Sequence, residues 1–162
     1  MGKKMIKRLI AGMLTAAVAI PTNFMPVQAA KQTAEDYVIY PTPHKMEYQE
    51  GDYILGKEMN VIYDTGIDEA TKDRLEEAAA LKDIKVKESD EPKKGATNVY
   101  VGVHGEDGKA EDYITKEYAP GDALFENTDS YFLASDENVI SVLGKDTDSA
   151  FYGLTTLYHV FA

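Results

Sequence analysis

The chain has 162 residues with 17 basic and 28 acidic side chains, a formal net charge of −11, and no cysteine. An acidic surface repels phosphate backbones and anionic lipid headgroups, so the composition argues against a nucleic-acid or membrane-surface partner. Without cysteine the protein forms no disulfide and has no thiol that could act as a nucleophile or a metal ligand.

Residues 1–29 have the three parts of a signal peptide. Four basic residues and no acid stand in residues 1–8, an uncharged apolar stretch covers residues 9–20, and Val27-Gln28-Ala29 follows as a small-residue cleavage site. The apolar stretch has 12 residues, whereas a membrane-spanning helix needs about 20. We therefore expect cleavage after Ala29, secretion of the chain, and a mature domain 30–162 that has no membrane partner.

The first elements predicted after the leader are strands. Tyr37–Tyr40 has a strand composition, and residues 45–55 suggest a small hairpin around Glu50-Gly51-Asp52. Met59–Tyr63 is the next strand. Its alternation predicts that Met59, Val61 and Tyr63 share one face of a sheet and that Ile62 lies on the other.

A helix should follow within residues 64–81, because small apolar residues recur there behind the possible caps Asp64, Thr65 and Asp68. Short strands are predicted at Ile84–Lys87 and Val99–Val103. The order strand, helix, strand indicates a parallel crossover.

The last third of the chain contains the clearest helix pattern. The polar stretch from His104 to Asn127 predicts no definite element, whereas residues 131–135 and 139–143 predict an antiparallel hairpin. Residues 147–161 predict a helix capped near Asp146, with its apolar side chains at three- and four-residue spacing. We expect four of them to pack on the sheet: Phe151, Leu154, Leu157 and Tyr158.

Few residues suggest chemistry. His44, His104 and His159 have no partner at zinc-like spacing. Asp146-Thr147-Asp148 could belong to a sugar-nucleotide metal site, but at a helix start it is more often a cap. The acidic stretch 106–112 does not match a calcium loop and is interpreted as solvated. The residues themselves therefore predict no catalytic, cofactor-binding or metal-binding residue, and no cofactor.

Two pairs of segments resemble a known family. One pair, Tyr40–Pro43 with Lys45–Tyr48, is similar to the opening of the N-terminal domain that precedes the barrel of secreted family 84 glycoside hydrolases. The other pair, Ile140–Asp146 with Ala150–Leu157, is similar to the ending of that domain. These are the O-GlcNAcase-like proteins and so-called hyaluronidases, which are β-N-acetylglucosaminidases. Family 20 hexosaminidases carry a related domain. The resemblance covers residues 37–162, with Thr155 at a structural position where the family often has glutamine.

The resemblance implies a fold and a role. The fold is an α/β (α+β) domain, a small mixed β-sheet with two main helices, as in the zincin-like N-terminal domain of hexosaminidases. The family's substrate-assisted hydrolysis of N-acetylglucosaminyl bonds uses two adjacent aspartates on a TIM barrel, which we expect after residue 162. No two aspartates are adjacent here, so no catalytic residue transfers. The implied partner is the barrel of the same polypeptide, with glycans contacted only indirectly.

Two other classes of function stay open at this point. One is a carbohydrate-binding module that tethers an enzyme to glycans, for which a row of exposed aromatic side chains on one sheet face would argue. The other is a secreted structural or interaction domain unrelated to sugars.

Overall fold

The structure is a computed structural model and describes residues 39–40, 42–47, 53 and 55–162. The predicted signal peptide lies outside these residues, as do parts of the predicted strand Tyr37–Tyr40 and of the predicted hairpin 45–55. The domain is a mixed α/β fold built on a five-stranded sheet, which confirms the predicted fold class.

The sheet has the order β2-β1-β3-β5-β4. Strands β1, β2, β3 and β5 run parallel to one another, and β4 is an antiparallel edge strand paired with β5. Its strands are β1 (Glu58–Tyr63), β2 (Lys85–Glu88), β3 (Thr97–Val103), β4 (Tyr131–Asp136) and β5 (Val139–Gly144). The antiparallel hairpin predicted from residues 131–135 and 139–143 is therefore confirmed. The two residues between its strands include Glu137, whose φ is 49°.

Among the described residues, three α-helices flank the sheet: α1 (Glu69–Ala80), α2 (Lys109–Tyr118) and α3 (Thr147–Phe161). The predicted caps are confirmed for two of them. The Asp68 carboxylate accepts from the Thr71 N–H at 2.8 Å, and Asp146 accepts from the Ser149 N–H at 2.8 Å. A short 3₁₀ helix, Asp122–Glu126, follows α2.

One face of the sheet is covered by α1 and α3. Met59 and Val61 of β1 meet Leu75 of α1 and Leu154 of α3 in the larger apolar core. All four side chains are fully buried, and burial on this scale contributes about 1.5–3 kcal/mol for each large side chain.

The opposite face of the sheet is covered by α2 and the 3₁₀ helix. Ile62 of β1 and Leu143 of β5 pack there against Ile114 of α2 and Phe125 of the 3₁₀ helix. Ile62 thus lies opposite Met59 and Val61, as the alternation of β1 predicts.

The structure differs from the sequence predictions at α2 and at the side of α3 that packs on the sheet. Helix α2 lies in the stretch for which no element was predicted, so Lys109–Asp112 are helical and only the residues before them form a loop. Phe151 and Tyr158 are half-buried. Their rings pack on Arg74 of α1, with the guanidinium carbon 4.8 and 5.6 Å from the ring centres. The stripe of α3 that is buried against the sheet is Ala150, Leu154, Leu157 and Phe161.

Candidate functional site

The carboxyl ends of the parallel strands are the first place to look for a site, because open α/β sheets bind ligands at this edge. Asp64 follows β1 directly, and His104 follows β3. The loop from His104 to Gly108 leads into α2, which carries Glu111 in its first turn. These residues form the one cluster of buried carboxylates at this edge in the described part of the chain.

Asp64 caps α2 rather than α1. Its two carboxylate oxygens accept from the Ala110 N–H at 2.8 Å and from the Glu111 N–H at 3.0 Å. The N-cap residue of α2 is Gly108, which has no side chain to do this. The carboxylate supplies the acceptors and the negative charge that a helix start favours.

Two glycines make room for the Asp64 side chain. A Cβ at Gly108 would lie 2.0 Å from the Asp64 Cγ, and a Cβ at Gly102 would lie 2.4 Å from its Oδ2. Both positions therefore exclude any larger residue while the carboxylate is in place. The sequence analysis missed this arrangement because the residues that form it are far apart in the chain. They are two separated glycines and an aspartate more than 35 residues before them.

The Asp64 carboxyl has a perturbed pKa. Burial raises its pKa above the ordinary value of 3.8, and the two backbone donors offset that effect only in part. A raised pKa by itself is compatible with a catalytic acid, but both oxygens of this carboxylate already serve α2.

Glu111 accepts hydrogen bonds from the backbone amides of the preceding loop. Its carboxylate accepts from the N–H groups of Gly105, Glu106 and Asp107 at 2.5, 3.0 and 2.8 Å. Successive amides of this kind can bind an external anion. Here the protein's own carboxylate takes that place.

His104 completes the cluster. Its ring stacks on Phe125 with the ring centres 4.2 Å apart, and its Nδ1 lies 3.2 Å from Oε1 of Glu111. Asp122 lies 3.9 Å from Nε2. The carboxylates of Asp64 and Glu111 are thus hydrogen-bonded to backbone amides of the domain itself, and the cluster connects β1, β3, α2 and the 3₁₀ helix.

The other residues considered from the sequence lie apart from this edge cluster. His44 is exposed, and His159 accepts a hydrogen bond from the Tyr40 N–H at 3.2 Å. Asp146 is the cap of α3, which favours the capping interpretation of Asp146-Thr147-Asp148 over a metal site. Within the described residues no group of histidines and carboxylates has an arrangement that could hold a metal ion.

Aromatic side chains do not form an exposed row in the described part of the chain. Tyr40 is the exposed aromatic residue there, and it lies outside the sheet. On the α2 side Tyr100 and Tyr113 stack on each other with ring centres 3.9 Å apart, and Tyr118 packs on Phe132. The feature that would favour a carbohydrate-binding module is therefore not present among these residues.

Comparison with known proteins identifies the class of the domain. Residues 36–162 match the family described as glycosyl hydrolase family 20, domain 2. The chain belongs to this family, an accessory domain of glycoside hydrolases. No curated protein matches the chain.

Among solved structures, the one titled "Structure of CpGH84D" is similar, with 43% sequence identity and a TM-score of 0.74. The match covers 77% of this chain and 21% of that one, so this chain spans about a fifth of that relative's length. In the described residues, no helix combines the length and the apolar character needed to cross a membrane.

Proposed function

We propose that this chain is the N-terminal accessory domain of a secreted family 84 β-N-acetylglucosaminidase. The observation that carries the proposal is the 43% identity to CpGH84D, a chain of which this domain accounts for only 21%. In this proposal residues 1–29 are the signal peptide, residues 30–162 are the accessory domain, and a catalytic TIM barrel follows. The two buried carboxylates of the cluster, Asp64 and Glu111, are bonded to the domain's own backbone amides, which supports an accessory role for the domain itself.

The proposed division of labour follows from the chemistry of the reaction. Substrate-assisted cleavage of an N-acetylglucosaminide needs one carboxylate to position the 2-acetamido group and another to protonate the leaving oxygen. This chain has no adjacent aspartates that could act as such a pair. Its part in the enzyme is to support the barrel, which would hold the pair and the glycan.

An activity assay tests the proposal. The polypeptide extended past Ala162 should release chromophore from an aryl N-acetylglucosaminide, and residues 30–162 purified alone should not. Turnover by the isolated domain above that of an inert control protein would contradict the accessory role. An extended polypeptide with no barrel would contradict the family 84 assignment.

Secretion has a separate test. When the chain is exported, N-terminal sequencing of the secreted product should show that the mature protein starts at Ala30. Recovery of the uncleaved chain in a membrane fraction would contradict the signal peptide and leave the domain assignment intact.

A further inference from the structure

The loop that joins β3 to α2 contains the sequence Asp107-Gly108. It is the one place in the chain where glycine follows aspartate, and glycine follows asparagine nowhere. Asp107 is exposed, and in the described part of the chain neither its carboxylate nor the Gly108 N–H has a hydrogen-bond or ion-pair partner. A carboxyl group and the backbone nitrogen that follows it are therefore both available for reaction with each other.

The fold itself favours this pair of residues in the loop. Asp107 has a φ of 52°, in the left-handed region where aspartate and asparagine are several-fold enriched over other residues that have a side chain. A Cβ at Gly108 would lie 2.0 Å from Cγ of Asp64, so glycine is the residue that fits there. Two separate constraints, a positive φ at one position and no space for a side chain at the next, thus place aspartate before glycine.

We propose that Asp107 is a site of spontaneous conversion to isoaspartate. The Gly108 nitrogen forms a bond to Cγ of Asp107, and the carboxyl group loses its hydroxyl, which leaves as water with the amide proton. The product is a succinimide ring. Water then adds to one of the two ring carbonyl carbons and breaks the bond from that carbon to nitrogen. Addition at Cγ restores aspartate, whereas addition at the main-chain carbon leaves the backbone connected through Cβ and Cγ. One water is released and one is consumed, so no other reactant is needed.

The hydrogen bonds of Glu111 restrain this reaction in the folded protein. Its carboxylate accepts from three successive loop amides, the last of which belongs to Asp107. On the other side of the reacting bond, the Gly108 carbonyl accepts from the Asp112 N–H at 2.9 Å. Ring closure requires the peptide between residues 107 and 108 to rotate toward the Asp107 side chain, and both sets of bonds resist that rotation. The loop must therefore open locally before it reacts, which exposed segments do at low free-energy cost.

The conversion alters the start of α2. It inserts one carbon into the main chain between residues 107 and 108 and leaves the free carboxylate on Cα. The longer backbone cannot keep the 2.8 Å bond from the Asp107 N–H to Glu111 while Gly108 stays beside the Asp64 carboxylate. Converted chains should therefore be less stable than unconverted ones.

The test incubates the full chain at neutral pH in water labelled with heavy oxygen and maps its peptides by mass spectrometry. We expect a second form of the peptide that contains residue 107, with an isoaspartyl fragmentation pattern and labelled oxygen. Asp129 is a control within the same molecule, because it is also exposed and has a φ of 58°, but serine follows it. Asp129 should stay unlabelled aspartate.

Substitutions test the restraint by Glu111. Glu111→Gln replaces a charged acceptor by a neutral one and should raise the rate of isoaspartate formation about tenfold, because weaker hydrogen bonds let the loop open more often. Glu117→Gln, near the other end of α2, should leave the rate unchanged. Asp107→Gly removes the carboxyl group and accommodates the positive φ. Its urea midpoint should stay constant during an incubation that lowers the midpoint of the parent chain.

Each other outcome contradicts a stated part of the proposal. If residue 107 stays aspartate in the parent chain and in Glu111→Gln, the site does not exist. Equal conversion at residues 107 and 129 would mean that the following glycine does not determine the site. An unchanged rate in Glu111→Gln, with a circular dichroism spectrum that matches the parent chain, would overturn the restraint. If that variant does not fold, the comparison of Asp107 with Asp129 in the parent chain still decides whether the site exists.

Discussion

At the scale of single residues, the space beside Asp64 admits no side chain at Gly108. Gly108→Ala places a methyl group 2.0 Å from the Asp64 Cγ and should lower the free energy of unfolding by about 1–3 kcal/mol, the usual cost of overpacking. Gly121→Ala is the matched control, because nothing lies within 4 Å of its Cβ position. It should be neutral or stabilising by about 0.4–1 kcal/mol. Urea melts of both variants check this, and equal losses would mean that the site around Asp64 is not tightly packed.

Asp64 and Asp146, which each cap a helix, should change the stability of the fold with pH in opposite directions. Burial raises the Asp64 pKa, so the folded state binds this proton more tightly than the unfolded state. Its contribution to stability therefore falls as the pH rises from 3.8 through the folded-state pKa. The Ser149 side-chain and backbone donors lower the Asp146 pKa. That contribution is present above 3.8 and is lost as the pH falls through the folded-state pKa.

Substitution separates the two effects. Asp64→Asn leaves one α2 amide without an acceptor and should cost about 1–3 kcal/mol, while removing the decline of stability with rising pH. Asp146→Ala should cost about 1 kcal/mol at neutral pH, and less below pH 3.8. Unfolding free energies measured from pH 3 to pH 7, within the range where carboxyls titrate, provide the check. A pH slope that Asp64→Asn leaves unchanged would contradict the raised pKa.

At the scale of elements, the sequence predicts the strands and helices whose signals are local. Met59–Tyr63 has its alternation within one segment, and residues 147–161 have their helical periodicity next to the cap Asp146; both predictions are confirmed. Helix α2 escapes prediction for two physical reasons. It buries few residues, with Ala110 and Ile114 among them, and its cap is supplied by Asp64 from 46 positions away. Because Asp64 lies far from the other two members in the chain, the cluster of Asp64, His104 and Glu111 could not be predicted from residue spacing in the sequence.

The terminal helix should be stabilised chiefly by the stripe that faces the sheet. Leu154 is fully buried, so Leu154→Ala should cost about 2–5 kcal/mol as a core truncation. Tyr152 is half-buried and does not belong to the buried stripe, so Tyr152→Ala should cost clearly less. Denaturant melts of the two variants give the comparison. If Tyr152→Ala lowered the free energy of unfolding as much as Leu154→Ala, the outer side of α3 would contribute as much to stability as the side that faces the core.

At the scale of the whole molecule, net charge governs encounters with charged glycans. The proposed mature chain 30–162 has 13 basic and 28 acidic residues, a formal charge of −15. Hyaluronan has a carboxylate in every disaccharide, so repulsion should prevent retention on an immobilised hyaluronan column at low ionic strength. Retention at low salt that decreases on addition of salt would reveal a basic patch strong enough to overcome the net charge.

The bond between Asp64 and α2 has a consequence for the order of folding. Helix α2 has 10 residues, and isolated helices shorter than about 12–15 residues are marginal in water. Its first turn is completed by a carboxylate that is in position only when β1 lies beside β3, since the Asp64 N–H itself donates to Val101 of β3 at 3.0 Å. The helix should therefore form after that parallel pairing. In native-state hydrogen exchange, the Ala110 and Glu111 amides should never be protected longer than those of β1 and β3, and Asp64→Asn should make them exchange while the sheet stays closed.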